Sequence, residues 1–159
     1  MTKDKKSHYE LLCRQVTSLS EGETNRIGLL ANVTALLRMT FGERFFWVGF
    51  YLVEGNELVL GPFQGDIACM HIGHGQGVCG TAWEQDETLV VPDVEQFPGH
   101  IACSTLSRSE IVVPLHDTHG KVTGVLDIDS KEIDAFDEDD RQGLENLVVC
   151  LTSLFRGWK

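Results

Sequence analysis

Long apolar runs are missing from this 159-residue chain. No stretch approaches the ~18 consecutive apolar residues of a membrane span. The opening MTKDKKSHYELLCRQ has neither an apolar core nor a small-residue cleavage site, so no secretory signal is expected. Basic residues are scarce: 13 Lys and Arg face 24 Asp and Glu, a formal net charge of -11. Binding a phosphate backbone or an anionic membrane needs clustered cations, so nucleic-acid and membrane partners are excluded. Proline is rare, with four in the chain, and no linker or low-complexity tract breaks it. A composition of 42% hydrophobic and 23% charged residues excludes disordered and fibrous classes. The expectation is a cytoplasmic protein whose residues 1–159 form one domain, large enough to bury a core without disulfides or metal.

What is present divides by period. Leu11, Leu12, Val16 and Leu19 recur at helical spacing. After EGET, Ile27, Leu30, Ala31, Thr34, Leu36 and Leu37 do the same until Gly42. RFFWVGFYLVEGNELVLGPF then reads as a hairpin turning at EGNE. Residues 61–80 hold six glycines and read as loop, with at most a short strand and a helical turn. TLVVPDV is a short strand, and residues 93–107 are loop. SEIVVPLHDTHGKVTGVLDIDS is a second hairpin. The tail is a helix capped by Asp137, burying Leu144, Leu147, Val148, Leu151 and Leu154. Helices at both ends of an antiparallel sheet make an α+β fold.

Strand alternation assigns faces. Phe46, Val48, Phe50 and Leu52 point one way; Phe45, Trp47, Gly49, Tyr51 and Val53 point the other. Leu126 and Ile128 oppose Asp127 and Asp129. Ile111, Val113 and Leu115 oppose Glu110. If the aliphatic faces meet the helices, the second face carries an aromatic wall and three carboxylates. Such a cup suits a small ligand with a cationic group. The same alternation also describes a solvated outer face.

Of five cysteines, Cys13 and Cys150 fall on helices and read as packing. Cys69, Cys79 and Cys103 fall in glycine-rich or polar loops. No C-x-x-C exists. His71, His74 and His100 could complete a zinc site, but the spacing matches no compact knuckle, and no metal is expected. An odd count in a reducing compartment argues against a disulfide framework. Thiol chemistry leads, with simple packing of each thiol as the alternative.

GPFQGDIAC, GQGVCGTA, VPDVEQFPGHIACS, SRSEIVVPL and GVLDIDS, in this order, resemble the free methionine-(R)-sulfoxide reductases, a catalytic branch of the GAF-domain fold. The likeness runs from about residue 21 to 155. It implies a six-stranded antiparallel sheet flanked by N- and C-terminal helices. It also implies a homodimer, and reduction of free L-methionine (R)-S-oxide without a cofactor beyond thioredoxin as reductant. Cys103 matches the nucleophile, Cys69 the principal resolving thiol and Cys79 an auxiliary one. Trp47, Tyr51, Glu110, Asp127 and Asp129 match the substrate pocket. Ser104 departs from the acid that many members carry after the nucleophile.

The implied chemistry suits these residue types. A sulfoxide sulfur becomes electrophilic when its oxygen is protonated, so a thiolate and an acid are both needed. Crowding Asp127, Asp129 and Glu110 raises at least one carboxyl pKa by like-charge repulsion. Cys103 would become a sulfenic acid, condense with Cys69, and be recycled by thioredoxin. The competing reading is a non-catalytic small-molecule-sensing GAF module, which has no need of cysteines at all three loop positions.

Overall fold

The computed structural model describes residues 2–101 and 103–152, with side chains from residue 5. Its elements run α1 (Thr2–Ser20), α2 (Arg26–Phe41), β1 (Trp47–Glu54), β2 (Glu57–Gln64), β3 (His71–Gly73), α3 (Gly77–Gln85), β4 (Leu89–Val91), β5 (Ser109–His116), β6 (Val122–Ser130) and α4 (Glu138–Thr152). The strands form one six-stranded sheet, order β3-β2-β1-β6-β5-β4, with every pairing antiparallel. Both expected hairpins are present. EGNE turns at Gly55, whose φ of 62° a glycine adopts without strain. α2 begins at Asn25, whose side chain accepts the Gly28 N–H. Gly42 closes it, as the periodicity predicts.

Two apolar layers sandwich the sheet. On one side α1, α2 and α4 pack Leu12, Val16, Leu30, Leu37, Leu144 and Leu147 onto Val48, Phe50, Ile111, Val113, Leu126 and Ile128. On the other, α3 and the flanking loops close over Trp47, Tyr51, Val112 and Val125. The second face is therefore covered rather than a solvated outer surface. Burial of both faces removes water from any polar group placed on the second.

Several expectations shift. Leu11, Leu19 and Ile27 are exposed, and Tyr9 takes the buried place on α1. Phe45 belongs to the helical layer and Phe46 to the opposite one, reversing the assignment from alternation. The cause is local: a 3-10 turn at Gly42–Arg44 precedes them and β1 starts only at Trp47, so strand parity does not reach back to either ring. α3 is nine residues long rather than a single turn, and Cys79 sits on it. Leu154 lies outside the described residues. Cys13 and Cys150 pack against the helical layer as free thiols.

Asp137 caps α4 by accepting the Asp140 N–H at 3.1 Å, while Asp140 accepts the Asp137 N–H at 3.0 Å, a reciprocal capping box. Asp140 is fully buried and also accepts bonds from Tyr9 Oη, Lys5 Nζ and both terminal nitrogens of Arg44. It ties α1, α4 and the segment before β1 together.

Candidate active site

Strand register builds the acidic cup row by row. Asp129 of β6 lies opposite both Trp47 of β1 and Glu110 of β5. In the next row Asp127 lies opposite Gly49 and Val112. The three carboxylates thus share the second face, as alternation predicts. Gly49 makes room for the aromatic wall, since a Cβ there would lie 2.7 Å from Trp47 Cη2. The Trp47 ring stacks on Phe63 at 5.2 Å between centroids and lies 6.0 Å from Tyr51.

Both aromatic side chains also hold the loop after β2. Trp47 Nε1–H donates to the Asp66 carbonyl at 2.9 Å, and Tyr51 O–H donates to the Cys69 carbonyl at 2.8 Å. The sequence marked these residues for the pocket; their role as tethers of the Cys69 loop was not legible. Cys69 is joined to Cys103 by a disulfide, with Cα atoms 5.5 Å apart across 34 positions. Cys103 of this pair lines a cavity of about 50 Å³. Trp47, Tyr51, Cys79 and His100 line it together with the three carboxylates, Ile67 and Ile101.

The electrostatics of the cup are those of acids denied water. Burial, then the charges of Asp127 and Asp129, holds Glu110 well above its ordinary value. Asp129 is raised by burial and by Asp127, against a lowering hydrogen bond from Ser107 Oγ at 3.1 Å. Burial also raises Asp127, but contacts with Glu110, the Cys79 thiol and His100 pull it back. Like-charge repulsion, the cause argued from sequence, ranks second to desolvation. Asp127 Oδ1 is buried with no hydrogen-bond partner among the described residues. An orphaned buried carboxylate oxygen is costly unless a ligand supplies a donor.

Cys79 is buried in the cavity wall, its thiol pushed well up by burial and the neighbouring acids. Its sulfur and carboxylate oxygens of Glu110 and Asp127 lie within 4.8 Å of one another, the donor set that could share a cation. The histidines do not form the site that spacing allowed. His71 pairs with Glu57 at 2.9 Å, and His74 faces Glu84 and Trp83; His100 alone reaches the cavity.

A sheet of this order, with helices on both faces and a small-molecule cup on one, defines a GAF domain. The GAF domain family profile matches residues 23–149. The chain is 57% identical to GAF domain-containing protein A of Dictyostelium discoideum, over 92% of each chain. It is 47% identical to the free methionine-R-sulfoxide reductase of Escherichia coli, over 93% of this chain and 88% of that one. The crystal structure of the free methionine-R-sulfoxide reductase from Neisseria meningitidis, in complex with its substrate, superposes with a TM-score of 0.90 at 49% identity, covering 95% of this chain and 90% of that one. The chain belongs to the free methionine-R-sulfoxide reductase family of GAF domains.

Proposed function

We propose that the protein reduces free L-methionine (R)-S-oxide to L-methionine. The observation that carries this reading is the Cys69–Cys103 disulfide, whose Cys103 lines the same cavity as Glu110, Asp127 and Asp129. Thiols supply two electrons, raised carboxyls supply a proton, and an unpaired carboxylate oxygen awaits a cation.

In the reduced protein the Cys103 thiolate attacks the sulfoxide sulfur. Glu110 or Asp129, kept protonated by burial, protonates the departing oxygen. The oxygen passes from the substrate sulfur to Cys103 as the bond between the two sulfurs breaks, so methionine leaves and Cys103 is left as a sulfenic acid. The Cys69 thiol displaces it as water and closes the disulfide. Asp127, the least raised of the three, takes the substrate ammonium on its orphaned Oδ1. Trp47 packs the S-methyl end. Cys69 rather than Cys79 resolves the sulfenic acid, a choice supported by the bond already joining Cys69 to Cys103. The buried Cys79 thiol, beside Asp127, is an auxiliary. We extend the same reading to thioredoxin as reductant, a homodimer and a cytoplasmic setting.

The test is a substrate panel assayed by thioredoxin-coupled NADPH oxidation. Free L-methionine (R)-sulfoxide should turn over, and the S epimer should not. An N-acetylated (R)-sulfoxide should react at least about 100-fold more slowly, because it lacks the ammonium that the buried acids require. Equal rates on the free and acetylated forms would refute the assignment of the cup. A sensing module that binds without turnover would give none of these rates.

A further inference from the structure

A collar of exposed apolar side chains flanks both cysteines of the disulfide in sequence. Of the ten large apolar side chains left exposed among the described residues, four lie within three positions of Cys69 or Cys103. Ile67 is 90% exposed, Met70 68%, Ile101 38% and Leu106 48%. Scattered exposed apolar residues need no explanation, but a cluster does. The flanking sequence reinforces it. Residues 67–70 and 101–107 contain no Asp, Glu, Lys or Arg, in a chain that is 23% charged with a net charge of -11. Ile67 and Ile101 line the cavity, whereas Met70 and Leu106 do not, so the pocket alone does not account for the collar.

We propose that this collar is the docking surface for the dithiol reductase that recycles the enzyme. The proposal deepens the reductase reading and rests on it. The occupant follows from the chemistry at the collar's centre. The thiolate of the reductase must approach in line with the Cys69–Cys103 bond. It displaces one cysteine as a thiolate and forms a mixed disulfide with the other. The second thiol of the reductase then breaks that mixed disulfide. Two electrons and two protons reach Cys69 and Cys103, and the reductase leaves as a disulfide. Any protein thiol that reaches this bond covers the surrounding side chains. An uncharged rim also lets a partner approach an acidic molecule without meeting its surface carboxylates. A dithiol reductase of the thioredoxin type fits these requirements; a small thiol does not need the collar.

The experiment compares the Met70→Ser/Leu106→Ser double variant with the wild type under two reductants, thioredoxin with its reductase and dithiothreitol. The variant should raise the KM for thioredoxin about tenfold, because two apolar side chains lose their burial in the encounter complex. Its turnover with dithiothreitol should stay within about twofold of wild type, since neither side chain lines the pocket. An unchanged KM for thioredoxin overturns the collar while leaving thioredoxin recycling intact. Equal losses with both reductants overturn it as well, by assigning the residues to the pocket. A wild-type protein served by dithiothreitol but not by thioredoxin overturns the recycling reading, and the collar with it.

Discussion

Two buried acids, Glu110 and Asp127, and a half-buried one, Asp129, on one sheet face destabilise the fold that holds them. Glu110 ionises in water near 4.5 and Asp129 near 3.8, and burial raises both. The native state therefore binds more protons than the unfolded chain at any pH between the ordinary and the raised values. Stability contributed by these groups is fully present below about pH 4 and is lost as pH rises through the raised values. Glu110→Gln should flatten that decline and raise Tm at pH 7–8, while lowering turnover at least about 100-fold through loss of an acid from the cup. A Tm series across pH 4–8, read beside activity, checks both. A steeper decline in the variant contradicts the assignment. The thiols divide similarly. Cys69→Ser should release about one methionine per chain and then stall under thioredoxin, because recycling needs the resolving thiol. Sustained turnover of that variant points to Cys79 as resolver.

The acids were legible because β5 and β6 are regular, and a period of two assigns every side chain on them. Trp47 and Tyr51 followed for the same reason on β1. Phe45 and Phe46 were misassigned because the preceding 3-10 turn breaks the parity. α3 was shortened because its glycines are poor helix formers, and tertiary packing against β5 and β6 overrides that preference. Asp140 is one of three acids in the first turn of α4 and is not distinguished from the others by sequence. Nothing local showed that Arg44, Lys5 and Tyr9 would converge on it. Asp140→Asn should cost about 3 kcal/mol, since it removes a buried charge from its cationic partners, and lower Tm by about 6–12 °C. The cup lies on the opposite face, so turnover at 25 °C should be retained. The loops are coupled to the site in another way. With the disulfide closed the cavity offers only about 50 Å³, room for a few waters. Oxidised protein should therefore bind free methionine sulfoxide at least about tenfold more weakly than reduced Cys103→Ser protein, measurable by calorimetry. Equal affinity would show that the Cys69 and Cys103 loops do not gate entry.

Across the molecule the two apolar layers do different work. The helical layer, clamped by Asp140, holds the sheet rigid. The second layer is thinner, built from α3 and loops, and the redox pair staples it shut. Closing a 34-residue loop constrains the unfolded chain by up to about 4 kcal/mol, so oxidised protein should melt several degrees above reduced protein. Among the described residues no helix is long and apolar enough to cross a membrane. Acid, thiol and ammonium site meet in one cavity, and the central claim is that they act once per electron pair. Fully reduced protein, freed of reductant, should be mixed with excess free L-methionine (R)-sulfoxide and quenched, and its methionine and cysteine linkages counted. The account predicts about one methionine per chain, with Cys69 linked to Cys103 and with Cys13 and Cys150 free. No methionine, or methionine formed equally by Cys103→Ser protein, would contradict it.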